Sequence, residues 1–210
     1  MVISDSAFSE DDASKQALGE QRLAGPVTQG SRQPIVYTVG HSTRSLGDFV
    51  ILLRSFDIRR VVDVRTIPRS RHNPQFDRQN LATALRNRRL GYRHMKELGG
   101  LRHSRADSPN LGWRNLSFRG FADYMQTSAF ADALEALIAL AIEKPTAIMC
   151  AEAVPWRCHR YLIADALLVR GFCVKHIMRP GTSRQHSLHP LALVYEGTIR
   201  YPAPSPEAAA

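Results

Sequence analysis

The chain has 210 residues, of which 44% are hydrophobic and 22% charged, a composition typical of one globular domain with a full core and not of a cross-linked mini-protein. It lacks a periodic glycine pattern, an apolar run near the roughly 20 residues of a membrane helix, and a secretory leader, so we expect a cytoplasmic protein without a membrane partner. The net charge is +9, and three cysteines are too few for a disulfide framework.

Both ends of the chain read as tails. Residues 1–33 mix Ser, Asp, Glu, Gly and Gln without a sustained hydrophobic period, and residues 199–210 are rich in Pro and Ala. Such segments cannot bury enough apolar surface to offset the entropy of ordering. We therefore predict disordered tails at 1–33 and 199–210 around one domain at 34–198.

Strand and helix signals alternate through the first half of the domain. Residues 35–39 form a β-branched run that ends at Gly40, and a capping box at 45–48 begins an amphipathic helix. A second strand is predicted at 61–64. Asp77 then caps a helix that stops at Gly91, and a short strand follows at 92–95. A long loop at 96–119 is expected to act as a lid.

The second half continues the alternation. Helices are predicted at 118–125 and 128–143, a buried strand at 146–150, a helix at 155–170 and a last strand at 173–177. Strands that are apolar on both faces and alternate with helices are typical of parallel sheets. The predicted fold is a single α/β domain with a mostly parallel central sheet and helices on both faces.

Basic residues concentrate in the predicted domain. Residues 34–195 contain 24 basic and 12 acidic side chains, and the segment 54–119 contains 16 basic and 5 acidic ones. All but four of the chain's basic residues are arginines, whose planar group binds phosphate and stacks on bases. We expect a nucleic acid partner, DNA in particular. The alternative explanation is that the arginine content reflects a proteome that is arginine-rich throughout.

Polar segments follow the predicted strands. They lie at 40–44, 63–68, 150–152 and 155–160. Ligands of such sheets bind in the crevice beyond the carboxyl ends of the strands. We therefore expect these four segments to meet at one edge of the sheet and to form the functional site.

Motifs in and near these segments resemble those of a known family. They are Thr38-Val39-Gly40-His41-Ser42-Thr43, Asp63-Val64-Arg65, Leu98-Gly99-Gly100, Cys150-Ala151-Glu152 and Cys158-His159-Arg160. Over about residues 35–195 the chain resembles the family of unknown function DUF488. This resemblance implies the fold and the position of the site, and it suggests removal of modified pyrimidines such as 5-hydroxymethyluracil from DNA.

Two carboxylates are candidate catalytic groups. Glycosidic cleavage needs a carboxylate that orients water or stabilises a cationic sugar in the transition state. Asp63 lies within an apolar strand and needs a cationic partner, Arg65 or Arg160, so the alternative is a structural ion pair. Glu152 is the second candidate for the catalytic role. The alternative is that its carboxylate only interacts favourably with the dipole of a helix N-terminus.

His41 is the third candidate catalytic residue, because an imidazole acts as acid and base near neutral pH; the alternative is hydrogen bonding to loop carbonyls. The residues predicted to bind substrate are Ser42, Thr43, Arg65, Tyr92, Trp113, Arg157, His159 and Arg160. The residues predicted to bind the nucleic-acid backbone are Arg69, Arg71, Arg86 and Arg89, for which a solvated basic face is the alternative. Trp113 is favoured as the residue that stacks on an extruded base.

Cys150 follows a strand and precedes a loop and a helix, as in rhodanese and phosphatase nucleophiles. The phosphatase pattern requires an arginine six residues later, where this chain has Trp156, so an inert buried thiol is the alternative. Cys158 and His159 are predicted to point in different directions on a helix. A set with His41 and Cys150 lacks the local ligand spacing of zinc sites. We expect no metal and no cofactor.

These observations predict a nucleic-acid-acting enzyme, most specifically a DNA glycosylase that hydrolyses the bond to a modified pyrimidine in DNA repair. Neither Lys96 nor Lys175 occupies an obvious pocket position, which disfavours a Schiff-base lyase. One alternative is a Cys150-dependent enzyme of the rhodanese or phosphatase type. The other is a basic nucleic-acid-binding module without activity.

Overall fold

The computed structural model describes residues 33–204. The predicted N-terminal tail therefore lies outside the described residues except for Gln33, and so does the last part of the predicted C-terminal tail, 205–210. No single helix within 33–204 is long and apolar enough to cross a membrane; one pair of helices, Leu116–Tyr124 and Ser128–Glu143, meets that test only when taken together, with a bend of 81° between them.

A six-stranded sheet forms the centre of the domain. Its strands are β1 (Ile35–Gly40), β2 (Arg60–Asp63), β3 (Gly91–His94), β4 (Thr146–Cys150), β5 (Cys173–Arg179) and β6 (Thr182–Gln185). They lie in the order β3-β2-β4-β1-β5-β6, with every neighbouring pair parallel except β5 and β6, which form an antiparallel hairpin. The prediction of a mostly parallel α/β sheet is confirmed.

Five helices cover the two faces of the sheet. They are α1 (Leu46–Arg54), α2 (Arg78–Arg86), α3 (Leu116–Tyr124), α4 (Ser128–Glu143) and α5 (Arg160–Val169). Successive strand residues point to opposite faces. Val61 accordingly packs with the buried residues of α1 and α2, whereas Val62 packs with those of α3, α4 and α5. Ser45 is the N-cap of α1, as predicted, because its Oγ accepts a hydrogen bond from the amide of Asp48 at 3.1 Å; the Asp48 carboxylate accepts from Ser45 Oγ at 2.7 Å.

The start of α5 differs from the prediction. Residues Pro155–Arg157 form one turn of 3-10 helix, Cys158 is extended, with φ −137° and ψ 143°, and the α-helix begins only at Arg160. The proline favours a turn start at 155, but the extended Cys158 interrupts the hydrogen-bond ladder before α5 begins. This break changes the direction of the side chains that follow it.

The predicted C-terminal tail is wrong for its described part. Strands β7 (Leu193–Tyr195) and β8 (Thr198–Arg200) form a hairpin, and Ile199 and Tyr201 are buried against the α3–α5 side of the core. Tyr201 Oη donates to the carboxylate of Asp165 at 2.8 Å. This buried contact orders a segment whose composition is that of a tail.

Candidate functional site

A cavity of about 640 Å³ lies at the carboxyl ends of β1, β2 and β4. The order of the strands explains its position, because β1 and β4 are adjacent and their outgoing loops diverge to opposite faces of the sheet. All four polar segments expected at this edge contribute to its wall. The predicted site residues on the wall are His41, Ser42, Arg65, Arg69, Glu152, Arg157 and His159.

Asp63 and Arg65 form a buried ion pair just below the cavity. Arg65 Nε lies 2.8 Å from Asp63 Oδ1, and Nη2 lies 2.6 Å from Oδ2. Tyr92 Oη donates to the same carboxylate at 2.7 Å, and burial together with Asp63 raises the pKa of Tyr92. Asp63 is fully buried and does not line the cavity. Arg65, and not Arg160, is therefore the cationic partner of Asp63.

His41 is held as a neutral imidazole. Its Nδ1–H donates to the carbonyl of Ser42 at 2.8 Å, and its Nε2 accepts from Arg65 Nη1 at 3.2 Å. The ring stacks on Phe76, with 4.1 Å between ring centroids. Burial, and then the positive charge of Arg65, lower the pKa of His41. In this arrangement both ring nitrogens already have partners.

The loop after β4 presents Glu152 to the cavity. The buried guanidinium of Arg160 donates to the carbonyl oxygens of Glu152 and Ala153, which fixes the loop backbone. Gly40 faces the same backbone, and a Cβ on it would overlap the Glu152 carbonyl. The Glu152 carboxylate accepts from the amide of Val154 at 3.2 Å. Among the described residues that line the cavity, Glu152 is the only carboxylate.

Cys150, Cys158 and His159 form a cluster on the cavity wall. The prediction that Cys158 and His159 point apart is wrong: Cys158 Sγ lies 3.6 Å from His159 Nδ1, because Cys158 is extended and precedes the helix. A hydrogen bond from Cys158 lowers the pKa of the Cys150 thiol against the effect of burial. The same hydrogen bond, together with burial, raises the pKa of Cys158.

Several predicted site residues lie elsewhere. Trp113 is not on the cavity wall; its ring packs against Phe118, His189 and Tyr201, at 4.7, 4.6 and 5.6 Å between centroids, so it is a packing residue. Tyr92 and Arg160 contact Asp63 and the Glu152 loop instead of the cavity. Four further predicted site residues are exposed and do not line the cavity, namely Thr43, Arg71, Arg86 and Arg89.

The segment predicted as a loop at 96–119 supplies wall residues that were not singled out individually. Gly100 and Leu101 lie in the loop, whereas Ser117 and Phe118 lie in the first turn of α3, which begins before the predicted end of the loop. Asp123 anchors this loop, accepting from the amide of Arg105 at 2.8 Å, from Ser108 Oγ at 2.5 Å and from Asn110 Nδ2 at 2.8 Å. No sequence signal marks Asp123, which is one carboxylate within a predicted helix. The length and composition of the loop are the signal that located its wall residues.

The comparisons with known proteins concern the family alone. Neither the curated proteins nor the solved structures contain a match to this chain. The model of the family described as domain of unknown function DUF488 matches residues 45–167, which include Asp63, Glu152 and the Cys150, Cys158 and His159 cluster. Because the match covers more than half of the 210 residues, the chain belongs to the DUF488 family.

Proposed function

We propose that this protein is a cytoplasmic DNA glycosylase that hydrolyses the N-glycosidic bond of a modified pyrimidine of the 5-hydroxymethyluracil type. The observation that carries the proposal is the position of Glu152, a carboxylate on the wall of a large cavity whose rim bears exposed arginines. A repair role follows from removal of a modified base.

The cavity has the size that this reaction needs. Its volume of about 640 Å³ lies within the usual range for small-molecule sites and is sufficient for an extruded nucleotide. Phe118 is partly buried on the wall and takes over the stacking role that the sequence predicted for Trp113. Ile67 and Leu101 are 61% and 69% exposed at the same opening, where they can contact unstacked bases.

Glu152 would supply the catalytic carboxylate. Departure of the base leaves positive charge on the sugar, and a fixed carboxylate stabilises that charge or orients the attacking water. Asp63 is unsuited to this role, because it is fully buried and its oxygens accept from Arg65 and Tyr92. The proposal therefore assigns catalysis to Glu152 and positioning of Arg65 to Asp63.

Arg65 retains hydrogen-bonding capacity toward the cavity. Its Nε and Nη2 donate to Asp63, Nη2 also donates to the Phe76 carbonyl, and Nη1 donates to His41. A guanidinium has five N–H groups, so one Nη1–H remains for a carbonyl of the base or a phosphate oxygen. The exposed Arg69 and Arg157 on the wall can hold the flanking phosphates.

The Cys150-dependent alternative has less support. The thiol has a lowered pKa, but the adjacent loop places the Glu152 carboxylate in the same cavity, where it would repel an anionic phosphate or thiosulfate. A binding module without activity would bind DNA and leave every modified base in place.

The test is a panel of duplex and single-stranded oligonucleotides that each carry one modified base, followed by alkaline cleavage of abasic sites. We expect strand breaks at one modified pyrimidine. Glu152→Gln should lower the rate of base removal at least a hundredfold without loss of DNA binding. The control Glu97→Gln, at an exposed position, should keep the wild-type rate. Binding without strand breaks would support the binding module, and full activity of Glu152→Gln would overturn the assignment of the carboxylate.

A further inference from the structure

Cys150, Cys158 and His159 together form a compact group of donor atoms. Their ligand atoms all lie within 4.8 Å of one another, and Cys158 is buried. Two thiolates and an imidazole are donors that Zn²⁺ prefers over hard cations such as Mg²⁺. The chain brings them together from the end of β4 and from the residues just before α5.

His159 presents an available nitrogen to the thiols. Its Nε2 lies 3.0 Å from the carbonyl oxygen of Val64, so in the neutral ring the proton is on Nε2 and the lone pair of Nδ1 is directed at the thiols, with Cys158 Sγ at 3.6 Å. A carbonyl that accepts from the other nitrogen is the usual support of a metal-binding histidine. Gly100 packs against the ring, and a Cβ at that position would overlap the imidazole.

The spacing of Cys158 and His159 suits tetrahedral coordination, and the sulfur of Cys150 lies within 4.8 Å of both of their ligand atoms. Cys158 Sγ lies 3.6 Å from His159 Nδ1. With a Zn–S bond of about 2.3 Å and a Zn–N bond of about 2.0 Å, the edge between the two ligand atoms of a tetrahedron is about 3.5 Å. The two atoms therefore already lie at the separation that one shared zinc ion requires.

We propose that Cys150, Cys158 and His159 bind one Zn²⁺ ion, with a fourth coordination position that faces the cavity. All three residues line the cavity, so that position is accessible to water or to a substrate atom, as in zinc sites that take part in reactions. The proposal does not rest on the glycosylase function, since metal binding can be measured without any substrate.

The experiment is a titration of metal-free, reduced protein with Co²⁺, followed by displacement with Zn²⁺. We expect a thiolate-to-cobalt charge-transfer band and the visible bands of tetrahedral Co²⁺, both saturating at one ion per chain. Cys158→Ser and His159→Ala should each weaken binding by at least about tenfold. Cys173→Ser is the matched control and should bind normally, because Cys173 lies in β5 outside the cluster.

A second measurement avoids substitutions that could disturb folding. In the wild-type chain, Zn²⁺ should protect Cys150 and Cys158 from maleimide labelling and leave the labelling of Cys173 unchanged. The proposal would be overturned if the folded wild-type protein showed no charge-transfer band with Co²⁺. It would also be overturned if Zn²⁺ left the labelling of Cys150 and Cys158 unchanged. A negative glycosylase assay would not affect either result.

Discussion

Asp63 is the last residue of β2, and Arg65 follows it two positions later. Their side chains form a buried ion pair with two contacts, in which Arg65 Nη2 lies 2.6 Å from Asp63 Oδ2. The pair is closed to solvent, with side-chain exposures of 6% for Arg65 and 0% for Asp63. Arg65 in turn donates to His41, so the carboxylate positions two residues of the cavity wall.

Removal of the Asp63 charge should destabilise the protein strongly. Asp63→Asn leaves a buried guanidinium without its counter-ion, and loss of one partner of a buried pair costs about 3–5 kcal/mol. Urea unfolding followed by circular dichroism measures this change. The exposed pair of Arg105 and Asp107 is the control, and Asp107→Asn should have a far smaller effect. Equal effects of the two substitutions would contradict this account of Asp63.

A second buried network links three elements of the fold. Thr38 Oγ1 lies 2.7 Å from His176 Nδ1, His176 Nε2 lies 3.0 Å from His186 Nδ1, and His186 Nε2 lies 2.9 Å from Asp165 Oδ1. With both imidazoles neutral, each group can donate to the next: the Thr38 hydroxyl to His176, His176 to His186, and His186 to the Asp165 carboxylate. Burial, and then the neighbouring His186, Arg160 and Arg184, lower the pKa of His176 to about 3.

This pKa makes stability depend on pH. The unfolded chain takes up a proton on this histidine near pH 6.5 but the folded protein does so only near pH 3. The free energy of unfolding should therefore fall as the pH is lowered from 6.5 toward 3, by about 1 kcal/mol per pH unit from this group. Urea unfolding at several pH values between 7 and 5 measures this change. The free energy of unfolding should depend less steeply on pH in His176→Gln than in the wild-type protein, and equally steeply in the exposed control His72→Gln. An unchanged pH dependence in His176→Gln would exclude His176 as the group responsible.

Gly100 should be intolerant of a side chain. Gly100→Ala places a Cβ within the volume of the His159 ring, so the ring must move and its hydrogen bond to Val64 should be lost. We expect weaker Co²⁺ binding and a changed His159 resonance in NMR spectra. Gly47→Ala is the control, because its Cβ would meet only Ser45 Oγ at 3.7 Å and alanine favours the helix. A normal His159 resonance in Gly100→Ala would show that Gly100 does not pack tightly against the His159 ring.

Arginines at the rim should determine the salt dependence of DNA binding. Each phosphate contact contributes about one unit to the slope of log K against log salt concentration. Arg157→Gln and Arg69→Gln should each reduce that slope by about one, since both side chains are exposed on the cavity wall. Arg54→Gln, at the exposed end of α1, should leave it unchanged. Equal slopes for all variants would argue against phosphate binding at the rim.

Much of the fold could be predicted from local patterns. Apolar strand runs, the Ser45 cap and the alternation of strand and helix gave the parallel strands and their helices, and the rule on strand ends located the cavity. The predicted pairing of Asp63 with a nearby arginine was also correct, because a lone charge inside an apolar strand requires a partner.

Long-range contacts could not be predicted. The direction of Cys158 depends on a shift in the start of α5, and helix boundaries are poorly defined by sequence. Trp113 and Tyr201 find their partners across the fold, and the contact of Tyr201 with Asp165 spans 36 positions. Composition alone therefore suggested a tail where the chain forms a hairpin and a buried tyrosine.

Single-turnover kinetics tests the proposal that Glu152 is the catalytic carboxylate of a cavity that binds DNA. Wild-type protein and Glu152→Gln should be compared on the same modified duplex, with binding measured in parallel. We expect a rate at least a hundredfold lower for Glu152→Gln at similar affinity. A folded Glu152→Gln protein that cleaves at the wild-type rate would show that Glu152 is not the catalytic carboxylate.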